Sequence, residues 1–560
     1  MVESRTVKLS VLFAGVETWQ VIGSADTDIK ALTYRSDQAG PGALFFCVPG
    51  HVRDGHDFAS QAVAQGATAL CVERPLDLPV AQVVVPSVRA VMGSVAAAFY
   101  GYPSRRLLTA GVTGTNGKTT STFLVAHLCD CSGLRAGLIG TVERRIGGQS
   151  LPAGRTTPEA VDIQRDLAEM VAAGDQVAVM EVSSHALDQG RARGLDFRVV
   201  TFTNLTQDHL DYHVTMEAYF GAKSRLFLAP EFASAKPLAV LNLDDPFGRR
   251  LAIACGKERV LGFSTRPLDE RSTIEAEWTA PADLEWSDFE ITPQGNRGAL
   301  VLRGRALELA GLSAERSRDR HRSRAEARFP VATRLVGSFN VANTLTALGV
   351  GLGLGLDFEK MLADLLSFSG VPGRMETVDE GQDFLVLVDY AHTPDSVRNV
   401  LVTARQLTRG RLLAVLGCGG DRDRTKRPLM GREGEKNADV LIVTSDNPRT
   451  EDPLGIINDI LQGLSSPSGA VVEPDRRQAI ATAISLAEPG DVVMILGKGH
   501  ERGQEFAGFT LPFDDREVAR ETLRAHLERT RGSRRLGKIK AESARRAALG
   551  QDRVTEGEGE

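Results

Sequence analysis

The chain lacks any apolar run near the ~20 residues that cross a bilayer, so membrane insertion is not expected. Residues 1–9 mix charge and polarity and have no signal-peptide core, which makes a cytoplasmic location the expectation. Basic residues are not in excess: 66 Lys and Arg against 72 Asp and Glu give a formal charge of −6. With no domain-wide basic face, nucleic acid is not an expected partner. Cysteine is scarce and scattered, at Cys47, Cys71, Cys129, Cys131, Cys255 and Cys418. Only Cys129 and Cys131 are close, and on one helix they face different ways. Neither a zinc pattern nor a disulfide framework results.

What remains is an ordinary globular balance, 42% hydrophobic and 25% charged. The length suggests about three or four domains. One stretch organises the rest: Gly111-Val112-Thr113-Gly114-Thr115-Asn116-Gly117-Lys118-Thr119-Thr120. An apolar run, 107–112, leads into it, and a helical pattern carrying Phe123, Leu124 and Leu128 leaves it. A strand, a glycine-rich turn and a helix start form a phosphate cradle. Backbone N–H groups face the anion, Lys118 adds a point charge and Thr119 offers a hydroxyl to Mg²⁺. Val112 stands where the strict G-x-x-x-x-G-K-[ST] pattern has its first glycine, so the chain reads G-x-x-G-x-x-G-K-T. Residues 114–120 are the expected ATP site.

The fold expected is α/β in three domains, with a central P-loop-type, mostly parallel sheet and a C-terminal Rossmann-like domain. Residues 1–105 form the first, with short strands at 43–48 and 69–72. Residues 106–370 form the second. There the apolar runs 177–180, 199–202 and 238–241 end in Glu181, in Asn204 and Asp208, and in Asn242 and Asp244. Runs of this kind, bounded by turn chemistry, indicate parallel strands covered on both faces, whose carboxyl ends collect ligands. The pattern loosens over 266–330, where 314–324 reads as a basic, solvated loop. Residues 371–530 repeat the grammar: runs 385–388, 412–416, 440–444 and 492–496 end in Asp389, in 417–423, in 445–449 and in 497–501. The tail, 531–560, has few apolar residues and reads as disordered.

From residue type alone, His209 reads equally as a packing or capping histidine, Lys223 as a solvated helix lysine, and Asn447-Pro448 as a turn. Six ordered motifs single these positions out: 114–120, Glu181-Val-Ser-Ser-His185, Asp208-His209-Leu-Asp211-Tyr-His213, Gly373-Arg374-Met-Glu376, Asp389-Tyr-Ala-His-Thr-Pro394 and Gly497-Lys-Gly-His-Glu501. Over about residues 20–528 the chain resembles the Mur ligase family, and within it the diaminopimelate-adding members.

That resemblance implies ATP-dependent ligation of meso-diaminopimelate to UDP-N-acetylmuramoyl-L-alanyl-D-glutamate through an acyl phosphate, in cytoplasmic peptidoglycan synthesis. It implies Lys118, Glu181, His209 and Lys223 as the catalytic set. Thr119, Glu181, His209 and a CO₂-derived carbamate on Lys223 would hold Mg²⁺. ATP would meet Gly114, Thr115, Asn116, Gly117, Lys118, Thr119, Thr120, Asn343, Arg374 and Asp389. The nucleotide sugar would meet Ser36, His51, Val52 and Arg53 at its uridine end, then Thr156, Thr157, Ser183, Gln189 and Arg191. Diaminopimelate would meet Arg422, Asp446, Asn447, Pro448, Arg449, Gly497 and Glu501. The partners implied are small molecules only, and the chain is expected to be a monomer. Two departures stand out. Arg35-Ser36-Asp37 exchanges the charges of the family's Asp-Ser-Arg, and Arg155 stands where asparagine is common. The alternatives are a lysine-adding Mur ligase, a folylpolyglutamate synthetase and a P-loop ATPase that makes no amide bond.

Overall fold

The computed structural model describes residues 5–50, 53–233, 236–267, 280–292, 294–312 and 326–530. His51, Val52, the basic stretch 314–324 and the tail 531–560 lie outside the described residues. The chain falls into two compact units, Met1–Val371 and Pro372–Glu560.

Unit one carries two large sheets. The first orders its strands Gln20–Ile22, Ala81–Val84, Ala67–Val72, Ala43–Phe46 and Ala31–Thr33 and is parallel except for its first pair. The second has a parallel centre, ordered Ala136–Ile139, Val177–Glu181, Leu108–Thr113, Val199–Phe202, Leu238–Asn242, Val260–Ser264 and Leu284–Glu285. Antiparallel strands extend both of its edges, among them the long pair Gly295–Arg303 and Glu326–Thr333.

Successive residues of a strand face opposite sides, and here both sides are core. Ala110, Val179, Val199 and Val240 pack against Leu124 and Leu128 of helix Lys118–Cys131 and against Leu345 and Leu348 of helix Ser338–Leu354. Met180, Val200, Phe202 and Leu241 pack against Ile163 and Leu167 of helix Ala160–Ala173 and against Leu226 and Phe227 of helix Met216–Leu228. A polar residue inside such a strand would meet an apolar helix on either face. The polar residues therefore gather at the strand ends.

Unit two repeats the plan in one sheet, ordered Glu376–Thr377, Leu385–Asp389, Val492–Leu496, Leu412–Leu416, Val440–Val443 and Val471–Val472. All neighbours are parallel except the first pair. The fold class is the expected α/β. Among the described residues, no helix is long and apolar enough to cross a membrane.

Candidate active site

Strand Leu108–Thr113 opens into the glycine-rich loop, and helix Lys118–Cys131 leaves it. Gly114 and Gly117 have φ of +148° and +86°, which L side chains rarely adopt. A Cβ on Gly114 would collide with Thr203 Oγ1, and one on Gly117 with Asn343 Oδ1. The adjacent strand end braces the loop. Thr203 Oγ1 donates to Asn116 O at 2.6 Å, and Asn204 Oδ1 accepts from Asn116 N at 2.9 Å. Thr115 N donates to Asn204 O at 2.8 Å. Two of the N–H groups expected to face an anion thus anchor the loop instead. Asn343, expected at ATP, donates to Asn340 Oδ1 at 2.9 Å.

Two ammonium groups converge on one carbonyl of this loop. Lys118 Nζ donates to Gly114 O at 3.1 Å and Thr115 O at 2.8 Å, and Lys223 Nζ donates to Gly114 O at 2.8 Å. Lys223 is only 1% exposed and lies 4.6 Å over the Tyr219 ring. The solvated-lysine alternative is therefore overturned. Burial, with Lys118 adding repulsion, pushes the Lys223 ammonium well below its ordinary pKa. His209 is in the left-handed region at φ +54°, with Nε2 3.2 Å from Asp208 Oδ2. Burial, helped by His185, Lys223 and Lys118, pushes its imidazole down to about 3, so it is neutral at pH 7. The rings of His185 and His209 meet edge-on at 4.8 Å, and His213 stacks on Tyr219 at 5.1 Å.

Glu181 ends its strand beside Val112 and is fully buried. Its Oε1 accepts from Thr141 N at 2.8 Å and its Oε2 from Thr141 Oγ1 at 3.0 Å. Thr156 Oγ1 lies 3.0 Å from the same Thr141 hydroxyl. Thr157 Oγ1 donates to Glu181 O at 2.9 Å and accepts from Ser183 N at 3.0 Å. Arg191 continues the chain of contacts, donating to Thr157 O at 3.1 Å and Gln189 Oε1 at 2.6 Å. Five residues expected at the sugar and peptide are thereby joined to Glu181.

Among the described residues no cluster of three His, Cys, Asp or Glu could hold a metal ion unaided. A buried carboxylate, the buried Thr119 hydroxyl and a neutral imidazole form a sparse donor set, which suits an ion that keeps water and phosphate oxygens as ligands. The Lys223 ammonium, as it stands, is no ligand for a cation. At the expected uridine end, Ser36 Oγ donates to Gln61 Oε1 at 2.9 Å, while Arg35 pairs with Asp37 at 2.9 Å. The exchanged charges thus satisfy each other. The Arg53 side chain is exposed.

In unit two, the buried Asp446, Asn447 and Lys498 form one network with the half-buried Glu501. Asn447 Nδ2 donates to Glu501 Oε2 at 2.7 Å, and Lys498 Nζ donates to Asn447 Oδ1 at 2.8 Å and Glu501 Oε2 at 3.1 Å. Asp446 Oδ1 is 3.9 Å from Lys498 Nζ. Burial and Asp446 raise the Glu501 pKa, and Lys498 opposes them. Gly497, at φ +115°, leaves room for the Asp446 carboxylate. Arg449, at φ +53° beyond Pro448, reaches Glu505 Oε2 and Gly420 O, both at 2.7 Å. Arg422 is exposed and donates to Asp421 O at 2.9 Å. Arg374 lies 4.4 Å over the Tyr390 ring, and the buried Asp389 accepts from Met375 N at 2.7 Å. Burial raises the Asp389 pKa while Arg374 opposes the rise.

Sequence reasoning missed Thr203 and Lys498 as site residues. For Thr203 the available signal was its place directly beyond strand Val199–Phe202, next to the loop-bearing strand.

A glycine loop with two lysines at the end of a parallel strand, on a sheet covered by helices, defines a P-loop α/β protein. Three family models match: "Mur ligase family, catalytic domain" over 28–106, "Mur ligase middle domain" over 112–351 and "Mur ligase, glutamate ligase domain" over 373–499. The chain belongs to the Mur ligase family. It is 45% identical to a UDP-N-acetylmuramoyl-L-alanyl-D-glutamate--2,6-diaminopimelate ligase of Geobacillus thermodenitrificans, covering 92% of this chain and 99% of that one. It is 46% identical to the protein of the same name from Gloeobacter violaceus, over 89% and 94% of the two chains. A solved structure of that ligase is 32% identical with a TM-score of 0.61, covering 93% and 99%. The Acinetobacter baumannii MurF structure, 19% identical with a TM-score of 0.59, covers 94% and 99% and shares the fold.

Proposed function

We propose that the protein joins meso-diaminopimelate to UDP-N-acetylmuramoyl-L-alanyl-D-glutamate, driven by ATP, in the cytoplasmic assembly of peptidoglycan precursors. The substrate's D-glutamyl carboxylate attacks the γ-phosphorus of ATP. The new O–P bond replaces the bond to the β-phosphate oxygen, giving an acyl phosphate and ADP. The diaminopimelate amine then attacks the acyl carbon. The tetrahedral intermediate loses inorganic phosphate and a proton, leaving an amide. Carboxylate and triphosphate repel each other, so the first step needs positive charge at the oxygens.

Lys118 supplies part of that charge from the loop. Thr119, Glu181, His209 and a carbamate formed from CO₂ on Lys223 are assigned to hold Mg²⁺, which when bound neutralises phosphate charge. The buried Lys223 beside a second lysine supports this assignment, because a carbamate replaces like-charge repulsion with attraction. Residues 114–120, Asn343, Arg374 and Asp389 are assigned to the nucleotide. Ser36, His51, Val52, Arg53, Thr156, Thr157, Ser183, Gln189 and Arg191 are assigned to the nucleotide sugar.

Arg422, Asp446, Asn447, Pro448, Arg449, Gly497 and Glu501 are assigned to diaminopimelate. The observation that carries the reading lies there: Arg449, whose guanidinium donates to Glu505 Oε2 and Gly420 O, follows directly on the Asp446-Asn447-Pro448 turn, and Asn447 in turn holds the Glu501 carboxylate. Diaminopimelate has one more carboxylate than lysine, and a guanidinium fork binds carboxylate bidentately. Separate sheets and separate family matches support domains at 1–105, 106–370 and 371–530. The test is phosphate release from ATP with the sugar dipeptide, offering meso-diaminopimelate, L-lysine and L-ornithine in turn. Release with diaminopimelate alone is the expected result, and release independent of both co-substrates would refute the reading.

A further inference from the structure

Glu159 is ringed by three guanidinium groups from different parts of unit one. Arg155 Nη1 and Arg191 Nε lie 3.0 and 3.2 Å from its Oε1, and Arg89 Nη1 lies 3.6 Å from its Oε2. Three cations face one buried carboxylate, and while the Arg155 side chain is largely exposed to water, those of Arg89 and Arg191 are not. Hydrogen bonding there is also incomplete. Arg89 Nη1, Arg191 Nε and Glu159 Oε2 are buried atoms with no hydrogen-bond partner. Buried guanidinium N–H groups left unmet are costly, and uncompensated positive charge more so. Burial, with Arg155 and Arg89 adding repulsion, already lowers the Arg191 pKa. The cluster is built as though an anion completes it.

Its place in the chain indicates whose anion. Glu159 stands two residues beyond Thr157, whose carbonyl accepts from Arg191. Arg89 lies in the first turn of helix Val88–Tyr100 and donates from Nε to Pro49 O at 3.4 Å. Pro49 stands two residues before His51, the first residue of the segment assigned to the uridine end. Arg89 thus contacts Pro49 and Glu159, each two residues from a position assigned to the nucleotide sugar, yet no resemblance singles it out.

We propose that Arg89 is a further substrate-binding residue, which with Arg155 and Arg191 receives an oxyanion of the nucleotide-sugar peptide. The inference rests on the function proposed above. Two groups of that substrate share the required chemistry, its diphosphate and its D-glutamyl α-carboxylate.

Calorimetric binding to the full-length protein tests it, with three probes: the intact sugar dipeptide, UDP-N-acetylmuramate without peptide, and the dipeptide form with its α-carboxylate amidated. Arg89→Ala is expected to weaken the intact probe at least about tenfold, the scale of a lost charge-assisted contact, with ATP binding held within about twofold. Equal weakening of UDP-N-acetylmuramate assigns the diphosphate. Unchanged UDP-N-acetylmuramate, with the amidated form binding wild type and variant alike, assigns the carboxylate. Arg89→Lys keeps the charge but not the fork and should recover only part of the affinity; if the alanine variant does not fold, a lysine variant that binds like wild type overturns the proposal. It is also overturned if Arg89→Ala binds the intact probe like wild type, or loses ATP affinity in equal measure, as a purely structural latch would. A wild-type protein that binds no nucleotide sugar refutes the proposed function itself, a separate result.

Discussion

Gly114→Ala tests the phosphate loop at its tightest point. The backbone there has φ +148°, where a residue with a Cβ pays about 1–3 kcal/mol. The added methyl also collides with Thr203 Oγ1, which must then leave Asn116 O, its partner at 2.6 Å. Losing that bond costs about 1 kcal/mol, and more if the carbonyl stays buried and unmet. Together these make the observed loop conformation about 2–4 kcal/mol harder to hold, which, if met on ATP binding, weakens affinity by about 1.5 to 3 powers of ten. Asn204 Nδ2 still reaches Asn116 O at 3.1 Å, so the loop is displaced rather than unfolded, and thermal stability should change little.

Titration calorimetry with ATP and Mg²⁺ reads the loss directly. The double variant Gly114→Ala with Thr203→Ala separates its two parts, because removing the hydroxyl relieves the collision but not the backbone strain. Because Thr203→Ala removes the same bond to Asn116 O that the collision breaks, the double variant should bind ATP about as well as Gly114→Ala alone, the two losses not adding. A Gly114→Ala protein with wild-type ATP affinity would refute the loop as the phosphate cradle. A double variant weaker than the single one by the full cost of Thr203→Ala alone would refute the collision.

Further outcomes are expected elsewhere. Lys223→Met should be inactive yet no less stable to urea, since exchanging a buried ammonium for an apolar chain of similar volume is often neutral or stabilising; full turnover would remove Lys223 from the chemistry. Lys223→Ala should regain part of its turnover with added short carboxylates, and failure of every such rescue would count against the carbamate. Arg449→Ala should lower kcat/KM for diaminopimelate by at least ~2 kcal/mol without changing KM for ATP, and unchanged kinetics would place specificity elsewhere. The hydrogen-bonded Arg427 guanidinium holds the Glu451 carboxylate down to about 2, against an opposing push from burial. Its folded pKa lies below its unfolded value, so this contribution is full above about pH 5 and fades as pH falls from about 4.5 towards 2. Glu451→Gln should narrow the gap in unfolding free energy, from urea titrations, between pH 6.5 and pH 3.5 by about 1–2 kcal/mol after solvent screening, and an unchanged gap would sink that assignment.

Runs such as 177–180, 199–202, 385–388 and 492–496 were legible as parallel strands because they do not alternate, and that absence follows from two apolar faces. Glu181 and Asp389 were legible as strand ends for the same reason, since a carboxylate fits only where the covering helices stop. Motifs local in sequence were legible as chemistry. Pairings between remote residues were not: Thr203 on Asn116, Lys223 on Gly114 and Arg89 against Glu159 each join segments whose approach depends on the whole sheet. The strand pair Gly295–Arg303 and Glu326–Thr333 was obscured by the basic stretch between its members.

Lys223 shows how position can outweigh residue type. In helix Met216–Leu228 the buried residues are Tyr219, Ala222, Lys223, Leu226 and Phe227. Lys223 follows Tyr219 by four residues and precedes Leu226 by three, which is the spacing of a single helix face. The stripe that buries Tyr219 and Leu226 must bury whatever lies between them, so the lysine was inward-facing by periodicity. An ammonium on such a stripe weakens the fold unless something compensates it. Its hydrogen-bond partner here, Gly114 O, also accepts from the ammonium of Lys118. That carbonyl is neutral and Asp208 opposes only in part, since burial and Lys118 prevail in lowering the Lys223 pKa, so a stability argument alone would favour methionine at this position. The carbamate proposed on Lys223 would account for a lysine here, because an anion at that nitrogen attracts Lys118 instead of repelling it.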